Sequence, residues 1–279
     1  MKKIFFFLTL DKKYIFQKLF PKIYRKIIYY LKNGNDPQVY MHMQKNLYKV
    51  LSKRDIKKFC VGSFDEHQKY DYESKLLKHF SGKFEKALDY GCGSGRMIKK
   101  FSKYFSQVDG VDIVKNNLEY AKNYCKDLIN SPKFYLCSGI DLNPINDKIY
   151  DFIYSTIVIQ HIAPHSVRFA ILKEIYRCLN EKGFLAFQMT YTNDIKKHFK
   201  YMKDARKFKP LTGVADWRDD AVWATTGNSK YDCIVDSKSI NHLIEDLNSI
   251  GFKDVKYEIA ELPHVGPVTD NFIFISAKK

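Results

Sequence analysis

The residues with the most defined chemical spacing are a glycine loop and two carboxylates. Gly91-Cys92-Gly93-Ser94-Gly95 follows the short apolar run Ala87-Leu88-Asp89-Tyr90 and precedes Arg96–Phe101, whose apolar residues recur at helical spacing. A second run, Val108–Asp112, ends in a carboxylate 17 residues after Gly95. Strand, glycine turn, helix and a second strand ending in an acid form the first half of a nucleotide-binding α/β sheet. In a dinucleotide site the loop and helix N-terminus cradle a pyrophosphate, and the third glycine falls three residues after the second. Here Arg96 holds that position and the third glycine is Gly95. Asp89 stands at the strand end beside the loop, where an ionised carboxylate repels pyrophosphate, and desolvation worsens the clash.

A ligand that carries an ammonium and a sulfonium but no phosphate suits this charge pattern. S-adenosylmethionine (SAM) is such a ligand: glycines admit it against bare backbone, and Asp112 is placed to accept its ribose hydroxyls. At these residues the sequence resembles a known family. Leu88–Gly95 resembles motif I of the class I SAM-dependent methyltransferases, and Asp112 matches that family's acidic residue on the second strand. The similarity continues through Phe134–Cys137, Ser138–Leu142, Tyr150–Ser155, Gln160-His161-Ile162 and the stretch from Ile171 to Phe184, over about residues 85–190. The resemblance implies an α/β, Rossmann-like seven-stranded sheet and SAM as cofactor. It carries cofactor contacts onto Asp89, Tyr90, Gly91, Cys92, Gly93, Gly95, Asp112, Ile113, Ile140, Asp141, Ser155 and Gln160, with residues 138–142 meeting the adenine.

Methyl transfer from a sulfonium is an in-line displacement, so alignment and exclusion of water are much of the protein's task. A hydroxyl acceptor also needs a general base. The base candidates are His161, after the fourth strand, and His264, in the turn Leu262–Pro267. The bland reading of His161 is a pocket-shaping histidine bonded to backbone, and that of His264 is a solvated turn residue. His165 follows Pro164 at a helix start and reads as a capping or exposed residue. The fourth strand runs into Ser155-Thr156-Ile157-Val158, not the Asn/Asp-Pro-Pro-aromatic turn that family resemblance links to planar nitrogens, and no Pro-Cys pair is present for cytosine C5 chemistry. Residues 192–235 form an insertion that holds both tryptophans. Trp217 and Trp223 are candidate stacking platforms for an acceptor, with Arg218 as an anion clamp; the alternative is that both rings pack the insertion onto the sheet. Asp216, Asp219 and Asp220 read as solvated acids, and no metal is expected.

The elements that must position these groups are a fifth strand over Phe184–Tyr191, a last helix near Ser237–Ser249, and an antiparallel pair, Lys253–Leu262 and Asn271–Ala277. The chain has 279 residues and is 45% hydrophobic, which suits one packed α/β domain and excludes a disordered chain. We divide it into a basic helical extension, residues 1–70, and a methyltransferase domain, residues 71–279, with the insertion as a lid. No stretch reaches 18 consecutive apolar residues, and the six cysteines show no CxxC pair, which suits reduced thiols in the cytoplasm. The net charge is +16, but lysines outnumber arginines 40 to 7, and residues 1–32 alone hold nine basic residues against Asp11. Dedicated phosphate and base readers rely on arginine, so nucleic acid is set aside as the leading partner. Leu19, Phe20, Ile23, Ile27 and Leu31 at helical spacing make residues 1–32 a candidate for peripheral membrane contact, or a cap on the domain. The leading expectation is O-methylation of a small polar acceptor such as a sugar, glycan precursor or phosphorylated metabolite. The alternatives are an RNA methyltransferase and a non-catalytic SAM-binding partner protein.

Overall fold

A computed structural model describes residues 41, 44, 45, 48, 49, 52, 53, 68, 70–162, 164–193, 233–261 and 270–279. His264, Trp217, Arg218, Trp223 and the whole of residues 1–32 lie outside the described residues. The elements follow in the order α1 (Tyr72–Leu77), β1 (Lys86–Tyr90), α2 (Arg96–Phe101), β2 (Gln107–Asp112), α3 (Lys115–Tyr124), β3 (Phe134–Leu136) and β4 (Tyr150–Ser155). A 3-10 turn (Ile159–His161), α4 (His165–Cys178), β5 (Leu179–Thr192), β6 (Ile234–Val235), α5 (Ile240–Ile250), β7 (Lys253–Glu261) and β8 (Asp270–Lys278) complete it.

The inner strands β1, β2 and β4 are short and buried over nearly their whole length, as a sheet covered on both sides requires. In β1, Leu88 and Tyr90 enter one core with Ile171, Leu172 and Ile175 of α4 and Leu243 and Leu247 of α5. Ala87 enters the other, with Tyr72 and Leu76 of α1, Met97, Ile98 and Phe101 of α2 and Leu118 of α3. The result is three layers, helix–sheet–helix. The strand order is β3-β2-β1-β4-β5-β8-β7, parallel except for β8, which runs antiparallel to both its neighbours.

The sheet has eight described strands rather than seven, because β6 adds two residues beside β5. Its placement follows from occupancy. Thr190 and Tyr191 of β5 face β8 on one edge, through Phe272 and Asn271, so Ile234 and Val235 must take the other edge, past the end of β4. The strand that follows the insertion therefore returns directly above the end of β4.

Inside the sheet, Asp109 is fully buried and held by three donors: the Lys133 backbone N–H at 2.8 Å, Gln107 Nε2 at 2.7 Å and the Tyr150 hydroxyl at 2.8 Å. Buried carboxylates are tolerated only with such a complement. This one fixes β2 against β4's first residue across the layer.

Candidate functional site

The strand order reverses between β1 and β4: the chain first moves outward through β2 and β3, then returns to the other side of β1. Helices α2 and α3 lie on one face and α4 and α5 on the other. Open α/β sheets bind ligands at such a switch point, outside the carboxyl ends of the strands. The glycine loop stands there.

The loop is pinned by backbone. Gly91 and Cys92 N–H groups both donate to the Val111 carbonyl, at 2.9 and 3.0 Å, and Gly95 N–H donates to the Cys92 carbonyl at 2.9 Å. Gly91 has φ 76°, and a Cβ there would lie 2.5 Å from Val158 Cγ2, so both the conformation and the close approach require glycine. Cys92 contributes backbone only. Its side chain is buried between β2 and α2, where a Cβ on Gly110 would come within 2.8 Å of its sulfur, and burial pushes the thiol well up. Tyr90 is buried in the core of the α4 and α5 face, and its carbonyl accepts the Ser155 hydroxyl at 2.9 Å, tying β4's end to β1's.

Asp112 is the best-defined polar group of the site. Its Oδ2 accepts from Gly93 N–H at 3.0 Å, and its Oδ1 accepts from Val114 N–H at 2.8 Å and from Asn117 Nδ2 at 3.2 Å. Burial pushes its carboxyl up to about 6, against the pull of these donors, so it is ionised at neutral pH. A carboxylate offers about four acceptor positions. Gly93, Val114, Asn117 and the Ile113 N–H that also pulls on this carboxyl take them up, so a ribose hydroxyl is accepted as the long Asn117 bond yields. Asn117 was not singled out in the sequence; its Oδ1 is buried with no hydrogen-bond partner among the described residues.

Asp89 sits beneath the loop and is 2% exposed. By strand alternation it shares the face of Ala87, on the side of α1 and α2. Burial pushes its carboxyl up to about 8, Arg96 pulls it down and Asp112 raises it further. A carboxyl of that kind is largely protonated at neutral pH, so, contrary to the expectation for an ionised Asp89, its charge does little to exclude pyrophosphate.

On the far side, Ile113 packs partly buried against the core, and Ile140 and Asp141 follow Gly139 in a turn closed by Ser138. Ser138 Oγ accepts from both Ile140 and Asp141 N–H groups, at 3.1 and 3.2 Å, and donates to Asp141 Oδ2 at 2.6 Å. Gly139 has φ 91°, and the methyl end of Met41 lies where a Cβ would be, beside Ile113. Met41 and Gln44, both buried, come from the N-terminal extension, and Gln44 Nε2 donates to the His161 carbonyl at 3.0 Å. The extension thus reaches the site, which no spacing in the sequence signals.

Ser155 is buried, and Gln160 is buried at the 3-10 turn, its Oε1 accepting from Gln188 Nε2 at 2.9 Å. The Gln160 carbonyl accepts Cys233 N–H at 2.8 Å, which closes β6 onto the loop after β4. His161 is half-buried at the end of this turn. His165 is neither a cap nor exposed: Pro164 is the N-cap of α4, and His165 Nε2 lies 2.7 Å from Asp246 Oδ2 on α5. It joins α4 to α5. No group of three or more His, Cys, Asp or Glu suited to a metal exists among the described residues.

Residues 88–187 match a family described as a methyltransferase domain. Carboxy-S-adenosyl-L-methionine synthase 1 of Yersinia pseudotuberculosis is 29% identical over 136 residues, 46% of this chain and 56% of that protein. Malonyl-[acyl-carrier protein] O-methyltransferase of Buchnera aphidicola is 37% identical over 73 residues, 26% of this chain and 28% of that protein. The chain spans about half the length, or less, of these curated relatives. Among solved structures, phosphoethanolamine N-methyltransferase 2 of Haemonchus contortus aligns with a TM-score of 0.54 at 16% identity, covering 83% of this chain and 60% of that one. A SAM-dependent methyltransferase of Thermotoga maritima, described as a candidate histamine N-methyltransferase, aligns at 0.51 and 18%, covering 80% and 98%. These likenesses show the class I methyltransferase fold.

Proposed function

We propose that this chain, which carries a class I SAM-dependent methyltransferase domain over residues 88–187, moves a methyl group from SAM to a small polar acceptor. The observation that carries the reading is the buried, ionised Asp112 fixed beside the Gly91–Gly95 loop at the switch point of the sheet.

The residues present fit the cofactor. The glycine loop offers backbone without side chains to the methionyl part, and Asp112 would accept a ribose hydroxyl in exchange for its long bond from Asn117. Ile113 and Ile140 supply apolar walls for adenine, and Met41 extends that wall from the other side. When bound, SAM supplies an electrophilic methyl group on a sulfonium. Val158, pressed onto Gly91, narrows the slot and excludes water next to the loop. The acceptor enters from the side of β6 and the 3-10 turn, where His161 takes the proton from its hydroxyl. His264 is the second candidate for that role. Trp217, Trp223 and Arg218 would hold a sugar ring or an anionic group from the insertion.

Acceptor class is the finer part of the proposal: a sugar, glycan precursor or phosphorylated metabolite, methylated on oxygen, in the cytoplasm. The named methyltransferase relatives, including the malonyl-[acyl-carrier protein] and ubiquinone-biosynthesis O-methyltransferases, support small or carrier-bound acceptors. Residues 1–32 would bring the protein to an anionic membrane surface; no helix among the described residues is long and apolar enough to cross one. The net charge of +16 favours a second reading, an RNA acceptor. Labelled methyl transfer from SAM into cell extract, fractionated into RNA, protein, lipid, glycan and small-molecule pools, separates them. Label in the glycan or small-molecule pool is expected. Label in RNA would replace the acceptor assignment, and no label with SAM binding intact would favour the non-catalytic partner.

A further inference from the structure

The loop between β4 and the 3-10 turn contains a conformation that its own sequence disfavours. Ile157 has φ 57°, in the left-handed region that β-branched residues avoid, and it adjoins the candidate slot. Strain of this kind persists only where the surroundings over-determine it. One buried side chain hydrogen-bonds the bend at both ends. Gln188 of β5 is fully buried, two residues beyond Ala186, the β5 partner of Tyr154 on β4. Its Oε1 accepts Ile157 N–H at 2.8 Å, and its Nε2 donates to Gln160 Oε1 at 2.9 Å. One amide therefore bridges both ends of the bend.

The bend has consequences for the slot. It turns Ile157 toward the core of the α2 side and Val158 toward that of the α4 side, and Val158 is the residue seated against Gly91. It also sets Gln160, whose carbonyl receives Cys233, and so the turn that ends in His161. We propose that Gln188 is a positioning residue for the methyl-donor slot: it holds Ile157 in the left-handed bend and thereby places Val158 and the 3-10 turn. This rests on the reading of the site as a SAM slot, and it assigns the specificity of that slot's wall to a strand residue outside it.

Gln188→Met fills the same volume and removes both bonds. It is expected to weaken S-adenosylhomocysteine binding by calorimetry about tenfold, the effect of losing one hydrogen bond's worth of positioning. It is also expected to release hydrogen-exchange protection at the Ile157 amide. Adding Ile157→Gly, which adopts the left-handed bend without steric cost, returns the affinity to within about threefold of the unaltered protein. A residue that merely supports the fold would lower the transition temperature without this rescue. The proposal is overturned if Gln188→Met keeps affinity within about twofold, or if the double variant binds no better than the single one. Should Gln188→Met fail to fold, Gln160→Met removes the second bond alone and is expected to speed exchange at the Ile157 amide; unchanged exchange overturns the proposal. If the unaltered protein does not bind the ligand, the SAM reading fails, and amide exchange at Ile157 in the variants still decides the clamp.

Discussion

Asp112→Asn changes one oxygen of the site and tests both its charge and its bonds. The carboxylate accepts from Gly93 on one oxygen and from Val114 and Asn117 on the other. An amide of the same shape has one acceptor atom, so whichever way it turns, an NH2 faces at least one of these donors. Bonds to a charged acceptor are worth about 1.5–3 kcal/mol, so the unliganded protein loses roughly 2 kcal/mol there. The substitution also removes a desolvated charge. The shift of the Asp112 carboxyl from 3.8 to about 6 is burial less the pull of its donors, so burial alone penalises the ionised form by more than roughly 3 kcal/mol. The two effects oppose, and the unliganded variant is expected to keep its stability to within about 2 kcal/mol. Affinity has no such offset: losing a charged acceptor for a ribose hydroxyl weakens S-adenosylhomocysteine by about 10- to 100-fold at pH 7.5. The pH dependence follows with the same sign. Binding to the unaltered protein falls as pH drops below about 6 and Asp112 protonates, whereas the variant's binding is flat there. The unliganded fold responds oppositely. Its Asp112 takes up a proton at about 6 and the unfolded chain only near 3.8, so stability rises as pH falls between those values. Isothermal calorimetry across pH 5–8 reads the affinity. A variant that binds within threefold of the unaltered protein at pH 7.5, or shares its pH slope, refutes the role given to Asp112.

Three further outcomes are expected. Tyr150→Phe removes the hydroxyl that donates to buried Asp109, and urea denaturation is expected to show a loss of about 1–3 kcal/mol with ligand affinity unchanged; an unaltered midpoint would remove that network from the fold's stability. Gly91→Ala forces a side chain onto a residue with φ 76° and into Val158, so binding should be lost, and Val158→Ala in the same chain should restore part of it; equal binding by Gly91→Ala and the unaltered protein would refute the close approach. His161→Ala should lower the methyl-transfer rate constant about 100-fold while SAM affinity stays within threefold; an unchanged rate constant would end its candidacy as base and leave His264.

Much of the site's frame was legible because it is built from local patterns. The limits of α2 and β4 read from the sequence coincide with the structure, since a glycine loop and turn residues bound short buried runs. Where the sequence misplaced a boundary, a long-range contact decided it. It placed the fifth strand at Phe184–Tyr191, but β5 begins at Leu179, because Leu179 pairs with Tyr150 and a register shift before Phe152 absorbs the polar residues between. Asn180 Nδ2 donates to Asp151 Oδ1 at 2.7 Å, which gives that polar start a partner. The last helix was expected from Ser237, yet α5 starts at Ile240, because Asp236 Oδ1 accepts from Lys238 and Ser239 N–H groups and holds 237–239 in a turn. Within the site, Asp112 and the glycines were visible through spacing. Gln188 was not: a lone glutamine in a strand carries no signal that it bonds residues 28 and 31 positions earlier. Nor did Met41 and Gln44 stand out, whose contacts with Gly139 and His161 depend on how the extension folds back.

The measurement that bears most directly on the nature of this site is a pair of titrations of the full chain, one with S-adenosylhomocysteine and one with NAD+. Asp112 predicts saturable binding of the first, and the glycine loop, with Arg96 where a dinucleotide site has its third glycine, predicts no heat from the second at the same concentrations. Saturable NAD+ binding with S-adenosylhomocysteine silent would contradict the methyl-donor site itself.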